Sequence, residues 1–280
     1  MKWQGRRGSN NVEDRRGSGS SGSGMAIGGG GVGLLAIVVI GYFLGIDLTP
    51  LLNGQGGAPV GGGGELTAQD QEAGEFVSVV LADTEQVWTQ VFQEQLGQTY
   101  TPATLVLFSG ATQSGCGGAS AASGPFYCPA DKKVYLDTDF FALMESQLGA
   151  GGDFAQAYVV AHEIGHHVQD ELGILAEAQR GRQQGADSAA VRVELQADCF
   201  SGVWAFHTER LTGSLEPGDI AEAMNAAERI GDDTLQRQQT GTVRPDSFTH
   251  GTSEQRQRWF DAGYRTGDVG SCNTFEARTL

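Results

Sequence analysis

Apolar residues recur at steps of three and four along most of the chain, and this period predicts a mainly helical protein. The clearest amphipathic segment is 66–96, where Thr67 is a suitable N-cap and Gly97 a suitable stop. Two short runs rich in branched and aromatic residues, 103–108 and 133–136, predict strands. Further helices are predicted at 139–148, 153–172, 188–211, 218–230 and 253–265. The predicted fold class is therefore α+β, mostly helical with a small antiparallel sheet.

The first 64 residues follow a different pattern. Residues 1–24 are polar, carry five basic and two acidic side chains and end in a Gly/Ser run, which is typical of a disordered tail. Residues 25–46 are apolar or glycine throughout, and a helix of this length reaches about 33 Å, enough to cross a hydrocarbon core of about 30 Å. The sequence therefore predicts a transmembrane helix at 25–46 that contacts the lipid bilayer, a Gly-rich linker at 47–64 and one folded domain at 65–280.

The charge of the tail predicts the orientation of this helix. Basic residues favour the cytoplasmic side, so residues 1–24 are expected in the cytoplasm and the domain at 65–280 outside it. A cleaved signal peptide is the main alternative, but the apolar run is longer than usual and no small-x-small cleavage site closes it. A buried core helix is a second alternative for the same 22 residues.

Composition limits the partners of the protein. The chain has 280 residues, with 18 basic and 34 acidic side chains and a formal net charge of -16. A chain this acidic repels phosphate backbones, so no nucleic-acid partner is predicted. Of the 43 glycines, 20 fall before residue 65, and the remaining 216 residues have an ordinary globular composition and are numerous enough to bury a core.

The four cysteines fit an exported domain. An even count in an oxidising compartment favours disulfides, and four cysteines allow three pairings. The expected pairs are Cys116 with Cys128, which flank a short loop, and Cys199 with Cys272. A thiolate zinc site is the competing use, but it requires C-x-x-C spacings that the sequence lacks.

A motif with metal-binding chemistry lies in the predicted helix 153–172. His162, Glu163 and His166 form an H-E-x-x-H pattern, and four helical positions bring both imidazoles to one face, one turn apart. Both nitrogens then reach one zinc ion at about 2.0–2.1 Å, while Glu163 points off the ligand face, where a carboxylate takes a proton from water. Gly165 costs about 1 kcal/mol of helix propensity relative to alanine, which makes sense if another element passes close to it.

The third ligand is expected from the next helix. Glu194 and Asp198 lie four apart in the predicted helix 188–211, whose other positions are largely apolar, so two embedded carboxylates need a partner. An E-x-x-x-D pattern after H-E-x-x-H resembles the gluzincin type of metallopeptidase, in which the Glu is the third zinc ligand and the Asp orients a ligand histidine. A ligand imidazole needs such an acceptor to fix its tautomer. The expected ligands are therefore His162, His166 and Glu194, with Asp198 behind them.

Five blocks of sequence resemble one family across nearly the whole chain. They are MKWQGRRGSNNVEDRRG, GPFYCPADKKVYLD, AHEIGHHVQ, ELQADCFSGVWA and FTHGTSEQRQRWFDAGY. They resemble the bacterial putative neutral zinc metallopeptidase family, whose members look like single-pass membrane proteins with one exported peptidase domain. The resemblance implies Zn2+ held by His162, His166 and Glu194, Glu163 as the general base, and a bacterial inner-membrane location with the catalytic domain on the periplasmic side.

Three further histidines lie outside the motif. Similar membrane-associated gluzincins carry a histidine well after the third ligand, and His250 matches that position. Its expected role is oxyanion stabilisation or a fourth zinc ligand that gates the site, and a surface histidine beside a helix cap is the alternative. His167 and His207 are interpreted as packing or hydrogen-bonding residues.

The predicted function is hydrolysis of peptide bonds in envelope proteins by zinc-activated water, with Glu163 as the base. By analogy with gluzincins, the strand at 133–136 is expected to pair with an extended protein or peptide substrate. Two alternatives stand beside this function. One is a non-catalytic, membrane-anchored scaffold whose zinc is structural and closed by His250 as a fourth ligand. The other is a helical binding domain without a metal.

Overall fold

The computed structural model describes residues 1–17, 66–120 and 123–280 of the chain. Helices form more than half of the structure. They are α1 (Ala68–Val91), α2 (Asp139–Leu143), α3 (Asp153–Glu171), α4 (Ile174–Ala178), α5 (Ala189–Thr212), α6 (Asp219–Arg229), α7 (Asp232–Thr240) and α8 (Ser253–Thr266). A π-helical turn follows α1 at Phe92–Leu96 and another follows α2 at Met144–Leu148, and 3-10 turns lie at Pro245–Ser247 and Val269–Cys272.

Local sequence signals account for most of these helices. Thr67 caps α1 in a reciprocal capping box with Asp70. Gly97 ends the π-helical turn that continues α1, in the left-handed conformation, so both boundaries predicted for the segment 66–96 are confirmed. The sequence did not predict α4 or α7. In α7 only Asp232 and Gln236 are buried, so the apolar period that marks the other helices is absent.

The strands form a mixed sheet and a separate hairpin. The strands are β1 (Val12–Asp14), β2 (Thr104–Phe108), β3 (Ala111–Ser114), β4 (Gly117–Ser120), β5 (Phe126–Cys128) and β6 (Lys133–Asp137). The main sheet has the order β1-β2-β6-β5, with β1, β2 and β6 parallel and β5 antiparallel to β6, while β3 and β4 pair with each other. The α+β class is confirmed. The prediction of an antiparallel sheet is wrong for most of the main sheet, because the chain passes through β3, β4 and β5 before β6 runs alongside β2 in the same direction.

Residues 1–17 form an N-terminal arm that belongs to the folded domain. Trp3 is buried and packs edge-on against Phe76 of α1, with the ring centroids 5.5 Å apart. Arg6 forms two hydrogen bonds with the Asp83 carboxylate, at 2.8 and 2.5 Å. The prediction of a disordered tail at 1–24 is therefore wrong for residues 1–17, because Trp3 is buried against α1 and Arg6 pairs with a carboxylate of that helix instead of remaining solvated.

The arm also bears on the predicted membrane orientation. Its strand β1 pairs with β2, so the arm and the domain lie on the same side of any membrane. The predicted arrangement, with the tail in the cytoplasm and the domain outside, is therefore wrong. The transmembrane segment predicted at 25–46 and the linker predicted at 47–64 lie outside the described residues. Among the residues that are described, no helix is both long and apolar enough to cross a bilayer.

Two glycines let α5 and α8 cross in close contact. A Cβ atom on Gly202 would collide with the carbonyl oxygen of Phe260, and one on Gly263 with the carbonyl oxygen of Cys199. The Cys199–Cys272 disulfide then joins α5 to the turn after α8, and a Cys116–Cys128 disulfide joins the hairpin to β5. Both expected pairings are confirmed.

Candidate metal centre

His162 and His166 lie one turn apart on α3. Four residues make slightly more than one helical turn, so the two side chains leave the helix on the same face, and their ring centroids are 4.8 Å apart. Almost all of α3 is buried, including His162 and Glu163. The motif is therefore part of the interior of the domain.

Glu194 of α5 faces both imidazoles. Its Oε2 atom is 3.1 Å from His162 Nε2, and its Oε1 atom is 3.6 Å from His166 Nε2. The absence of a side chain at Gly165 allows the two helices to approach closely here. A Cβ atom at this position would lie only 3.1 Å from the carbonyl oxygen of Ala197. The expected reason for a glycine inside the H-E-x-x-H motif is thus confirmed: another helix passes next to it.

Hydrogen bonds at Nδ1 fix the orientation of both imidazoles. His162 Nδ1 donates to Asp198 Oδ1 at 2.9 Å, and His166 Nδ1 donates to Gln169 Oε1 at 2.8 Å. The carboxylate is an acceptor only, and the Gln169 amide nitrogen donates to a backbone carbonyl of α5, so its oxygen faces His166. Because Nδ1 makes the outward hydrogen bond in each ring, Nε2 is the atom of each ring that faces the Glu194 carboxylate.

The electrostatics of this cluster favour a cation. Burial alone would lower the pKa of His162, but the Asp198 and Glu194 carboxylates outweigh it and raise this pKa to about 10. Glu194 likewise raises the pKa of His166 against the effect of burial. Burial would raise the pKa of Glu194, yet the neighbouring imidazoles hold it well below its ordinary value. The centre therefore keeps the Glu194 carboxylate ionised and favours a positive charge between it and the two imidazoles.

Glu163 lies beside these donor atoms without being one of them. Burial raises the pKa of its carboxyl group, and the opposing influences are the imidazoles and the backbone N–H of Tyr127. Tyr127 belongs to β5, the last strand of the main sheet. Glu163 is thus held between the two histidines and the edge of the sheet, a position from which a carboxylate can accept and return a proton.

Two residues that sequence reasoning missed surround Asp198. Arg256 of α8 donates to both of its carboxylate oxygens at 2.9 Å, and the Tyr158 hydroxyl donates to Oδ1 at 2.5 Å. Arg256 shares the buried face of α8 with Phe260 and Gly263, four and seven residues later. An arginine in register with a buried helical stripe was the available signal that it has a buried partner.

His250 lies in a loop that Asp232 organises. One oxygen of this buried carboxylate accepts hydrogen bonds from the backbone N–H groups of Thr249, His250 and Gly251, and the other lies 3.4 Å from His250 Nδ1. Burial opposes protonation of His250, but Glu194 and Asp232 raise its pKa above the ordinary value. His250 is therefore a largely enclosed imidazole whose pKa the Glu194 and Asp232 carboxylates raise, and the surface-histidine alternative does not match this position.

The remaining histidines are hydrogen-bonded within the fold, as expected. His167 bonds the Thr101 carbonyl at 2.7 Å and the Tyr127 hydroxyl at 3.2 Å. His207 donates to the Gly267 carbonyl at 2.8 Å. Both histidines are therefore structural.

The expected substrate-binding strand is a wrong prediction. The run 133–136 lies in β6, which is paired on both sides, with β2 and with β5. In the described part of the sheet, the terminal strand on this side is β5, and its Tyr127 meets Glu163 through the backbone. The sequence did not predict β5 because three residues are too few to show an alternating pattern.

Comparison with known proteins identifies the family. A family model described as putative neutral zinc metallopeptidase matches residues 1–275. The chain belongs to this family. The chain is 50% identical over 286 residues to the uncharacterised protein YpfJ of Escherichia coli K12, covering 98% of this chain and 99% of that protein. It is 52% identical over 191 residues to an uncharacterised protein of Mycobacterium bovis, covering 65% of each chain. No solved structure matches.

The donor atoms fit the zinc that membership in a zinc metallopeptidase family implies. One atom each from His162, His166 and Glu194 lie within 4.8 Å of one another. Two imidazole nitrogens and one carboxylate are a ligand set of catalytic zinc sites, which keep a fourth position open. The structure brings the three expected ligands together, and His250 contributes no atom to the group.

Proposed function

We propose that the chain is a zinc metalloendopeptidase that hydrolyses peptide bonds with Glu163 as the general base. The observation that carries this proposal is the convergence of His162, His166 and Glu194 next to a buried carboxylate that is not a ligand. Zinc bound to these three residues supplies Lewis acidity and lowers the pKa of water toward 7.

The residues of the chain have separate parts in this reaction. Glu163 accepts the proton of the attacking water on its carboxylate and delivers it to the leaving amine nitrogen, for which its raised pKa is suitable. His250 donates a hydrogen bond to the carbonyl oxygen as negative charge develops there, and the raised pKa of its imidazole favours that role as a donor. The edge of β5 aligns an extended peptide by adding it to the sheet as a further strand.

A structural zinc site in a non-catalytic scaffold is the second candidate. Such sites are normally closed by four protein ligands. In the described residues the group of donor atoms at this centre has three members, and His250 is not one of them. This count favours catalysis over the scaffold. The metal-free binding domain is disfavoured because it gives no reason for two imidazoles and a carboxylate to converge on one point in the fold.

The proposal includes a location on the outer side of the bacterial inner membrane. The two disulfides support an oxidising compartment for the domain, and the arm must lie in that compartment too. Residues 25–46 are proposed to contact the bilayer without crossing it once, because a single crossing would separate the arm from the domain. Envelope proteins are then the accessible substrates, and nucleic acid is not a proposed partner.

The test combines metal analysis with a digestion assay. The purified protein is expected to contain one zinc per chain and to cleave casein, and a chelator is expected to stop cleavage. Glu163→Gln is expected to retain the zinc and to lose cleavage, because it keeps the ligands and removes the base. Cleavage by Glu163→Gln at the wild-type rate would overturn the mechanism. Stoichiometric zinc without cleavage of any protein substrate would favour the scaffold.

A further inference from the structure

Gln169 lies at the start of a series of hydrogen bonds that leads away from His166. It follows His166 by three residues on α3, and its Oε1 accepts from His166 Nδ1 at 2.8 Å. Its Nε2 donates to the Val193 carbonyl at 2.7 Å and to Gln196 Oε1 at 3.1 Å. The side chain is 0% exposed, so water does not compete for these bonds.

Gln196 continues the series to a disulfide. Its Nε2 donates to the backbone carbonyl of Cys272 at 2.9 Å, and the residue is only 5% exposed. Cys272 is bonded to Cys199, which lies three residues after Gln196 on α5. The disulfide therefore holds the carbonyl of Cys272 against the same helix that carries Gln196.

The bonds all have the same direction. His166 donates to Gln169, Gln169 donates to Gln196, and Gln196 donates to the carbonyl of Cys272. A carbonyl accepts and never donates, so turning either amide over would place two donors or two acceptors face to face. The carbonyl at the end thereby forces the orientation of both amides, which keeps the proton of His166 on Nδ1 and the lone pair on Nε2.

We propose that Gln169 and Gln196 are positioning residues that hold His166 in its zinc-binding tautomer, and that the Cys199–Cys272 disulfide anchors them. The inference rests on the proposed function, since it requires His166 to be a zinc ligand. It gives the second ligand histidine a counterpart to Asp198, which orients His162. The two histidines are then oriented in different ways. An ionised carboxylate orients His162, and neutral amides that end at the carbonyl of a disulfide-bonded cysteine orient His166.

The test measures zinc affinity in the full-length Glu163→Gln protein, by competition with a chromophoric chelator, so that peptidase activity does not enter. Gln169→Leu has a similar volume and no acceptor, and it is expected to weaken zinc binding about 10- to 100-fold. Gln169→Glu keeps an acceptor for Nδ1 and is expected to restore most of the affinity. A merely structural role of Gln169 would not give this order.

The disulfide is tested with a matched pair of variants. Replacing both Cys199 and Cys272 by alanine is expected to weaken zinc binding, whereas replacing both Cys116 and Cys128 is expected to leave it unchanged. Loss of a native disulfide also lowers the stability of the whole fold, so Gln196→Leu tests the same link without that effect. Combined with Gln169→Leu, either change is expected to add little, because the link to His166 is already broken.

The outcomes separate this inference from the proposed function. Tight, stoichiometric zinc binding that Gln169→Leu and Gln196→Leu leave within twofold of the parent would overturn the positioning role and leave the peptidase proposal standing. A parent protein that binds no stoichiometric zinc would overturn the peptidase proposal itself, and the positioning role with it. Full additivity of the losses in zinc affinity caused by Gln196→Leu and Gln169→Leu would show that the two amides act separately, which contradicts their action as one series of hydrogen bonds.

Discussion

Arg256 and Asp198 form a buried, two-pronged ion pair directly behind His162. The Nε–Oδ2 and Nη2–Oδ1 distances are both 2.9 Å, and the same Oδ1 accepts from His162 Nδ1. Burial would raise the pKa of Asp198, but Arg256 and then His162 hold it below the ordinary value. The expected ligand His162 on α3, its acceptor Asp198 on α5 and the Arg256 cation on α8 therefore form one electrostatic unit.

Arg256→Met is expected to lower the free energy of unfolding by about 3–5 kcal/mol, because it leaves the Asp198 carboxylate buried with part of its compensation removed. Arg256→Lys keeps the charge but loses the two-pronged geometry and is expected to fall between Met and the parent. Urea unfolding of the zinc-free proteins measures both effects. A loss below 1 kcal/mol for Arg256→Met would contradict the assignment.

His250→Ala is expected to lower kcat/KM about 10²- to 10³-fold, the cost of removing one donor to a developing oxyanion. Zinc content and zinc affinity are expected to stay unchanged, since His250 is outside the group of donor atoms. Peptidase kinetics and chelator competition give the two values. His207→Ala, which removes a structural histidine, serves as the control and should change kcat/KM little. A collapse of zinc affinity in His250→Ala would identify a fourth ligand instead.

Arg6→Ala is expected to destabilise the domain by about 2–4 kcal/mol at neutral pH. It removes the partner of Asp83, whose carboxylate is buried and whose pKa burial raises. Urea unfolding measures the loss. The exposed neighbour Arg7 provides the matched control, and Arg7→Ala should stay within about 0.5 kcal/mol of the parent. Equal, small effects of the two changes would mean that the arm is not docked on α1.

Asp137 predicts a pH dependence that is independent of the metal centre. Burial raises the pKa of this carboxyl from 3.8 to about 6, against hydrogen bonds from the backbone N–H groups of Gly110 and Asp139. A raised folded-state pKa stabilises the fold below the unfolded value and loses that contribution as the pH rises through the folded value. Relative to Asp137→Asn, the parent should therefore lose about 3 kcal/mol of unfolding free energy between pH 3.5 and pH 7. Guanidinium unfolding of both proteins at both pH values measures this change, and a parent that gains stability relative to Asp137→Asn as the pH rises would contradict it.

The three expected zinc ligands were accessible to sequence reasoning because their geometry is local. His162 and His166 are four residues apart on one helix, and Glu194 and Asp198 are four apart on the next. Spacing alone therefore predicts that each pair shares a helix face. Gln169 and Arg256 were not predicted. Neither residue is unusual in the sequence of its own helix. The role of each depends on the side chains that it contacts on α5, and the sequence does not show that packing.

The sheet and the arm show the same limit at the level of the fold. The strand period in β2 and β6 is visible in the sequence, but the direction of their pairing depends on the path of the chain between them. The arm was predicted to be disordered because its polar composition is that of a tail. Its partners, Phe76 and Asp83, lie on a helix that begins some fifty residues further along.

The position of β1 also has a consequence for the solubility of the protein. Without the arm, β2 would offer the apolar run TLVLF as an open edge with unpaired backbone groups, which is a template for association with other chains. The arm covers that edge with a strand of three residues, two of them acidic, which recruits further strands poorly. A chain shortened at its N-terminus is therefore expected to self-associate through β2 even when its metal-binding residues are intact.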